Sequence, residues 1–483
     1  MSAEIAPDVY RLDLVDATDT RETGVLVASP PRAYAGEFDR VWVLTVQLYS
    51  LRSEMNWGIG DFGDLMTMMR IGASLGAAGI GLNPLHALFD NHPADCSPYS
   101  PNSRLFLNPL YIDAARAPNL PDGFLAAHAE RLEALRRTDL VDYPAVADLK
   151  WRALQASFVQ FRDHATPADR DEFAQFRRDR GAQLKRFACF EFLRRRHSGP
   201  WWEWPQEWRT PDDARLAALD REEAAEIAYF EFIQWLADRQ LRQCSELAAE
   251  LNMPVGLYLD VAVGVKADGF DAWSAQAAIS RSASVGAPPD QLNTAGQNWG
   301  LAGYNAAGLE QTLLRPFRDM IAASMRYAGA IRLDHVMGLQ RLYIIPSGFS
   351  AKEGAYVRMP FEPLLAVTAL ESHKHKCIVI GEDLGTVPEG FRERLADYGI
   401  WSYRVMMFER NYDGSFLPPD RYAGNALVTF NTHDLPTFAG WKSGHDLVTK
   451  LGLGIDPGES DDQRRQAVAA FGAIAHLPVA DAR

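Results

Sequence analysis

The stretch Ala330-Ile331-Arg332-Leu333-Asp334-His335 closes a short apolar run on a carboxylate flanked by a cation and an imidazole. A barrel strand delivers a reactive group to its open end in this way. Two later stretches end alike. Cys377-Ile378-Val379-Ile380-Gly381-Glu382-Asp383 is a β-branched run closing on acids. Leu427-Val428-Thr429-Phe430-Asn431-Thr432-His433-Asp434 closes on an acid preceded by a histidine. Intervals of roughly 50 residues leave room for a helix and loops between successive strands, so three carboxyls can converge on one face.

Working outward, Val41-Trp42-Val43-Leu44-Thr45-Val46 reads as a buried strand of the parallel kind. Asp61 is placed to cap a helix carrying Leu65, Met66, Met68, Met69 and Leu75, which leads to Ile80-Gly81-Leu82-Asn83 and completes a βαβ unit. Met253–Asp260 is a further strand ending on an acid, and Trp401–Phe408 another. Strand ends therefore fall at Val46, Asn83, Asp260, Asp334, Glu382, Phe408 and Asp434, which is seven rather than the eight of a closed barrel. Val9–Val15 and Gly24–Ala28 alternate apolar with polar around the turn Ala17-Thr18-Asp19-Thr20, the pattern of a hairpin.

Between about residues 114 and 250 the pattern is helical, with amphipathic segments such as Glu172–Arg180 and Glu222–Leu251. Trp201, Trp202, Trp204 and Trp208 cluster inside it. They form either a sugar-stacking platform or a packed corner between helices, and the second is favoured because aromatics usually serve cores. Arg194-Arg195-Arg196 reads as a solvated helix end. Two turn-rich loops stand at strand ends: Ser97-Pro98-Tyr99-Ser100-Pro101, with its tyrosine and hydroxyls, and Gly286–Gly300, whose flexible flanks around Trp299 suit either a cover over a bound chain or an ordinary surface connection.

A formal net charge of −14 argues against nucleic-acid and polybasic membrane roles. Cys96, Cys189, Cys244 and Cys377 lie far apart and suggest neither a disulfide framework nor a zinc site. Met1-Ser2-Ala3-Glu4 has no basic start or apolar signal core, and no run approaches the roughly 20 apolar residues of a membrane span. A cytoplasmic enzyme without a metal or cofactor is expected.

Paired carboxylates at strand ends serve two main chemistries. In a retaining glycosidase or transglycosylase one attacks the anomeric carbon while the other protonates the leaving oxygen. In a metal-dependent barrel enzyme they hold magnesium and a Lys or His serves as base. No lysine stands at these strand ends, whereas Arg332, His335 and His433 are placed to bind hydroxyls, so sugar chemistry is favoured. Buried ion pairs fixing the strands would account for one such carboxylate but poorly for three.

Arg332-Leu333-Asp334-His335, Gly381-Glu382-Asp383-Leu384-Gly385 and Asn431-Thr432-His433-Asp434 resemble, in that order, the strand-four, strand-five and strand-seven motifs of the α-amylase superfamily. Asn56-Trp57-Gly58-Ile59-Gly60-Asp61-Phe62-Gly63, Ser97-Pro98-Tyr99-Ser100, Gly286-Ala287-Pro288-Pro289-Asp290 and Gly296-Gln297-Asn298-Trp299-Gly300 narrow the resemblance to the amylomaltases, or 4-α-glucanotransferases. The matches run over about residues 41–445. The resemblance implies an α/β fold, a (β/α)8-type TIM barrel with a helical insertion, that transfers segments of α-1,4-glucans between maltodextrins, with glucose or maltose as acceptor. It implies Asp334 as nucleophile, Glu382 as general acid/base and Asp434 as transition-state stabiliser. Arg332 would orient Asp334, and His335 and His433 would bind sugar hydroxyls. Asp260 matches the strand-three acid, Tyr99 would stack near the donor sugar, Trp299 would cover the acceptor, and Ser97, Asp290 and Gln297 complete the substrate-binding set. Glu382 would have to carry a proton at neutral pH, which needs a less polar or more negative surrounding than that of Asp334.

Two departures stand against the family pattern. Residues 1–40 resemble only a remnant of a β-rich N-terminal region, and the chain ends soon after the strand-seven motif, so within the catalytic region 41–483 the last barrel strand is expected to be missing. An open barrel exposes an edge at a cost in stability. An amylase-like hydrolase and an inactive glucan-binding fragment are the alternatives.

Overall fold

Most of the apolar runs that end on polar residues become parallel strands. The computed structural model describes residues 5–19, 21–289 and 295–474, and the chain divides into two compact units, 1–379 and 380–483. A hairpin of β1 (Asp8–Val15) and β2 (Arg21–Ala28) opens the first unit, as the alternation predicts. Its parallel strands are β3 (Leu44–Val46), β4 (Gly79–Leu82), β7 (Gly256–Val261) and β10 (Ala330–Leu333), side by side in the order β10-β7-β4-β3. The strand β13 (Ile378–Gly381) spans the division, and β14 (Trp401–Val405) and β15 (Ala426–Thr429) follow it in parallel register in the second unit. Among the described residues these are the seven parallel strands counted from sequence, and none follows β15.

The first strand is shorter than its apolar run. Only Leu44–Val46 pairs with β4, and the side chains of Val41 and Trp42 are exposed, although Trp42 O accepts from Ala78 N–H at 2.8 Å. β14 likewise stops at Val405, before the expected Phe408, which is exposed. A second correction concerns Gly286–Gly300. The residues on either side of it form antiparallel strands, β8 (Ile279–Ala287) and β9 (Gln297–Tyr304), so Trp299 sits on a strand rather than a loop. With β11 (Arg341–Pro346) and β12 (Ala355–Arg358) they make a four-stranded sheet in the order β12-β11-β8-β9. Ser, Gly and Asn recur along β8 and β9, residues with little preference for extended conformation. Asp290 lies outside the described residues.

From β6 (Ser103–Leu107), which pairs with β5 (His86–Ala87), to β7 the described elements are helical. The long helices Tyr143–His164, Pro167–Arg196 and Ala224–Glu250 pack on aromatic side chains, with Phe161 and Phe232 at 4.9 Å between ring centroids and Phe161 and Trp235 at 5.4 Å. The tryptophan cluster is a packed corner. Trp201 and Trp204 are buried and donate their indole N–H groups to Ala267 O and Gly199 O. The guanidinium of Arg281 lies over Trp202, 4.7 Å from the ring centroid. The Arg194–Arg196 end is not solvated throughout. Arg194 is buried and paired with Glu191, one turn away on the same helix, and with Asp90, whose approach only the tertiary fold reveals.

The stretch Asn56–Gly63 is a structural turn. Asp61 caps the helix Phe62–Ser74 by accepting from Gly63 N–H at 3.0 Å and Asp64 N–H at 3.4 Å, and Asp64 accepts in return from Asp61 N–H at 3.0 Å. This is a capping box built on two acids. Gly60 is required because a Cβ there would lie 2.0 Å from Leu48 O. Lys150, fully buried on the helix Tyr143–His164, donates to Asp61 Oδ2 at 3.3 Å and to Leu110 O and Ile112 O at 2.7 Å each. It ties the helical region to the first βαβ unit. Replacing one partner of such a pair strands a buried charge, so Lys150→Met is expected to lower stability by about 3–5 kcal/mol in urea unfolding, with Lys150→Met/Asp61→Asn recovering part of the loss. A loss below about 1 kcal/mol for the single variant would show that the pair contributes nothing beyond packing.

Candidate active site

Parallel register assembles the site of the first unit. Arg332 on β10 is the register partner of Asp260 on β7, and side-chain alternation puts Arg332 and Asp334 on the same side of the chain. The guanidinium consequently lies between two carboxylates. Arg332 Nη1 donates to Asp260 Oδ1 at 2.8 Å and Oδ2 at 3.0 Å, and stands 2.9 Å from Asp334 Oδ1. Asp334 N–H continues the strand pairing on Val261 O at 3.1 Å, which fixes the backbone of the acid. Asp260 and Arg332 are buried, whereas the side chain of Asp334 keeps 22% exposure, enough to meet a substrate.

Tyr99 reaches this group from the loop after β5. Its hydroxyl donates to Asp260 Oδ2 at 2.6 Å and accepts from Asn83 Nδ2 at 3.2 Å. Burial, and then the negative charge of Asp260, push its phenol far above the ordinary tyrosine range, so it stays a proton donor. Asn83 was legible as a strand end but not as a site residue; the rule that read Asp260 at the end of β7 applies equally to the polar residue that follows β4. Ser97 is exposed and contributes its carbonyl, which accepts from Ser100 N–H at 3.1 Å.

His335 follows Asp334 in the left-handed region, with φ +49°. A residue with a Cβ pays about 1 kcal/mol for that conformation, which here turns the chain sharply after the acid into the short helical turn Val336–Leu339. Burial, and then the charge of Arg341, lower the imidazole to about 4. His335 is therefore neutral at neutral pH and serves as a hydrogen-bonding group. Trp299 meets it edge to face at 5.3 Å between ring centroids, and Trp299 Nε1 donates to Gln297 Oε1 at 3.0 Å. The β8–β9 hairpin thus brings Gln297 and Trp299 to the residue next to Asp334.

In the second unit Glu382 follows β13 directly and is buried, accepting from Leu384 N–H at 2.8 Å. Its neighbour Asp383 is wholly buried and anchored by Arg392 Nε at 2.7 Å, Ser402 Oγ at 2.8 Å and Tyr403 N–H at 3.2 Å. Asp434 stands in the turn after β15 with its side chain 79% exposed, 3.3 Å from His433 Nε2. Its backbone N–H is held by Thr432 Oγ1 at 3.2 Å. The sequence-predicted residues thus fall into two sets, Asp334 with Arg332, Asp260, Tyr99, His335, Gln297 and Trp299 in the first unit, and Glu382, His433 and Asp434 in the second. Among the described residues no group of three or more acids, histidines or cysteines is arranged to hold a metal ion, and no helix is long and apolar enough to cross a membrane.

Residues 46–476 match glycoside hydrolase family 77, described as 4-alpha-glucanotransferase. The chain is 38% identical over 475 residues to the 4-alpha-glucanotransferase of Haemophilus influenzae, an alignment covering 93% of this chain and 67% of the relative. It is 34% identical over 491 residues to that of Mycobacterium tuberculosis, covering 97% and 67%. The structure is similar to the amylomaltase of Corynebacterium glutamicum, with a TM-score of 0.85 at 28% identity over 99% of this chain and 68% of that one. The fold is shared by the amylomaltase of Streptococcus agalactiae, solved in complex with acarbose, at a TM-score of 0.70 and 19% identity over 89% and 87% of the two chains. A parallel-stranded α/β fold of the amylomaltase type, strand-end acids in the superfamily order and a family match over most of the chain lead to one assignment: this chain belongs to the 4-α-glucanotransferase family, glycoside hydrolase family 77, and acts on α-1,4-glucans.

Proposed function

We propose that the chain transfers glycosyl segments by a retaining double displacement in which Asp334 is the nucleophile. The observation that carries this is the guanidinium of Arg332 held between Asp260 and Asp334, which offsets the repulsion of two neighbouring carboxylates and keeps an oxygen of Asp334 oriented at the strand end. Asp334 attacks the anomeric carbon, the bond from that carbon to the 4-oxygen of the leaving sugar breaks, and Glu382 gives its proton to that oxygen. In the second step the acceptor's 4-hydroxyl loses its proton to the Glu382 carboxylate and displaces the Asp334 ester, restoring the α configuration. Asp434 stabilises the positive charge that develops on the ring, and His335 and His433 bind ring hydroxyls. Tyr99 lies against the donor sugar; Ser97, Asp290, Gln297 and Trp299 complete the substrate contacts.

Maltodextrins serve as donors, and glucose, maltose or a longer maltodextrin as acceptor. A cytoplasmic location is supported by four cysteines that are all free, three of them buried.

Incubation with maltotriose is expected to give glucose and a ladder of longer maltodextrins, seen by chromatography of the products. Glucose and maltose with nothing longer would convert the reading to hydrolysis.

Asp334→Asn is expected to reduce transfer by roughly 10⁴-fold while maltodextrin binding persists, since an amide cannot form the glycosyl ester. Glu382→Gln given an α-glucosyl fluoride, whose leaving group needs little protonation, should accumulate a glucosyl unit on the peptide carrying Asp334. Mass spectrometry of that peptide decides the roles, and an adduct on Glu382 or Asp434 would reassign the nucleophile.

A further inference from the structure

Tyr99 stands in a segment with no strand or helix of its own, residues 88–102 between β5 and β6. One turn of the helix Pro167–Arg196 holds both ends of that segment. At the near end Arg194 donates to Asp90 and Asn91, with its guanidinium 5.2 Å from the centroid of the Phe89 ring, and Arg195 Nη2 adds a bond to Asp90 Oδ2 at 2.6 Å. At the far end Glu191 Oε1 accepts from Asn102 Nδ2 at 2.8 Å. Asn102 is fixed in turn by Phe270 N–H on its Oδ1 at 2.8 Å and by its own N–H on Ala87 O at 2.9 Å. Glu191 and Arg194 close the circuit at 2.6 Å.

Arg194, Glu191 and Asn102 are buried. Buried charges cost stability unless their geometry is well satisfied, and a helix end needs no such arrangement. What the arrangement does is fix the two feet of a segment whose tip must place one hydroxyl 2.6 Å from Asp260 Oδ2. A displacement of about 1 Å in a positioning element can cost an enzyme on the order of a hundredfold in rate.

We propose that Arg194 and Glu191 are positioning residues for glucan transfer. They act through the segment 88–102 to set Tyr99 against Asp260, and through Arg332 to set the carboxylate of Asp334. The inference rests on the reading of Asp334 and Tyr99 given above. The helical region is, on this account, a working part of the site.

The test is a double-mutant cycle on the full chain, with kcat and KM for maltotriose disproportionation and the thermal midpoint measured for Arg194→Lys, Tyr99→Phe and the double variant. Lysine keeps the charge, but an ammonium cannot reproduce the fork that meets Asp90, Asn91 and Glu191 together. Arg194→Lys is expected to lower kcat about tenfold with KM changed less than about threefold, and to lower it less than about twofold further in the Tyr99→Phe background. The shifts in thermal midpoint should add. Equal kcat losses in both backgrounds overturn the proposal, as does an unchanged kcat for Arg194→Lys. An unchanged kcat for Tyr99→Phe overturns the proposal alone, because phenylalanine keeps the ring against the donor sugar, whereas a glucosyl adduct away from Asp334 overturns the site reading, so the two failures are told apart. Where Arg194→Lys does not fold, Glu191→Gln takes its place with the same criteria, since it keeps the acceptor for Asn102 and removes the charge facing Arg194.

Discussion

A single buried guanidinium, shared between Asp260 and Asp334, is the constraint on which the first unit's site depends. Taking charges out of water costs several kcal/mol per ion, and a lone carboxylate at either position would be unstable there. Three features offset the cost. Parallel pairing of β10 with β7 puts the cation and its first partner in register, alternation along β10 puts the second partner on the same side, and the Tyr99 hydroxyl satisfies a further lone pair of Asp260. The first two features are backbone consequences before they are side-chain ones. A single nitrogen, Arg332 Nη1, meets both acids.

The same logic of buried charge recurs where the helical region meets the parallel strands. Lys150 has no access to solvent, yet it satisfies Asp61 and two carbonyls that no strand or helix would otherwise pair. Arg194 satisfies the segment that carries Tyr99. Long cations reaching out of helices fasten irregular segments to regular ones, because an irregular segment leaves polar groups unpaired that a helix or a sheet would have paired internally.

How much of this could be read from residues alone depended on range. The strand ends at Asp260, Asp334 and Glu382 were legible, because an apolar run followed by an acid is a local pattern. The helix cap at Asp61 was legible for the same reason. The pairing of Arg332 with Asp260 was not, since register between residues 72 apart is set by tertiary packing. Arg194 was misread because the rule for cations at helix ends assumes solvent, and its partners lie about a hundred residues away on the segment after β5. The end of β8 and the start of β9, within Gly286–Gly300, were misread as loop because Gly and Asn carry little extended-strand preference, and the pairing partners supply it instead. Val41 and Trp42 erred the other way: an apolar run reports burial, and these two are exposed beside a strand of only three residues.

The two neighbouring acids that follow β13 have different surroundings. Asp383 turns inward and is satisfied by Arg392, Ser402 and the Tyr403 N–H, so its charge is fully engaged in holding the end of β13. Glu382, one residue earlier and also buried, accepts the Leu384 N–H on one oxygen. These bonds on Asp383 hold the backbone beside Glu382. On β10 the division is between cation and acid, with Arg332 anchored to Asp260 and Asp334 left partly exposed at the tip. At both strand ends a charged residue engaged in structure, Arg332 or Asp383, stands within two residues of another acid, and such support is what holds a side chain in a defined direction.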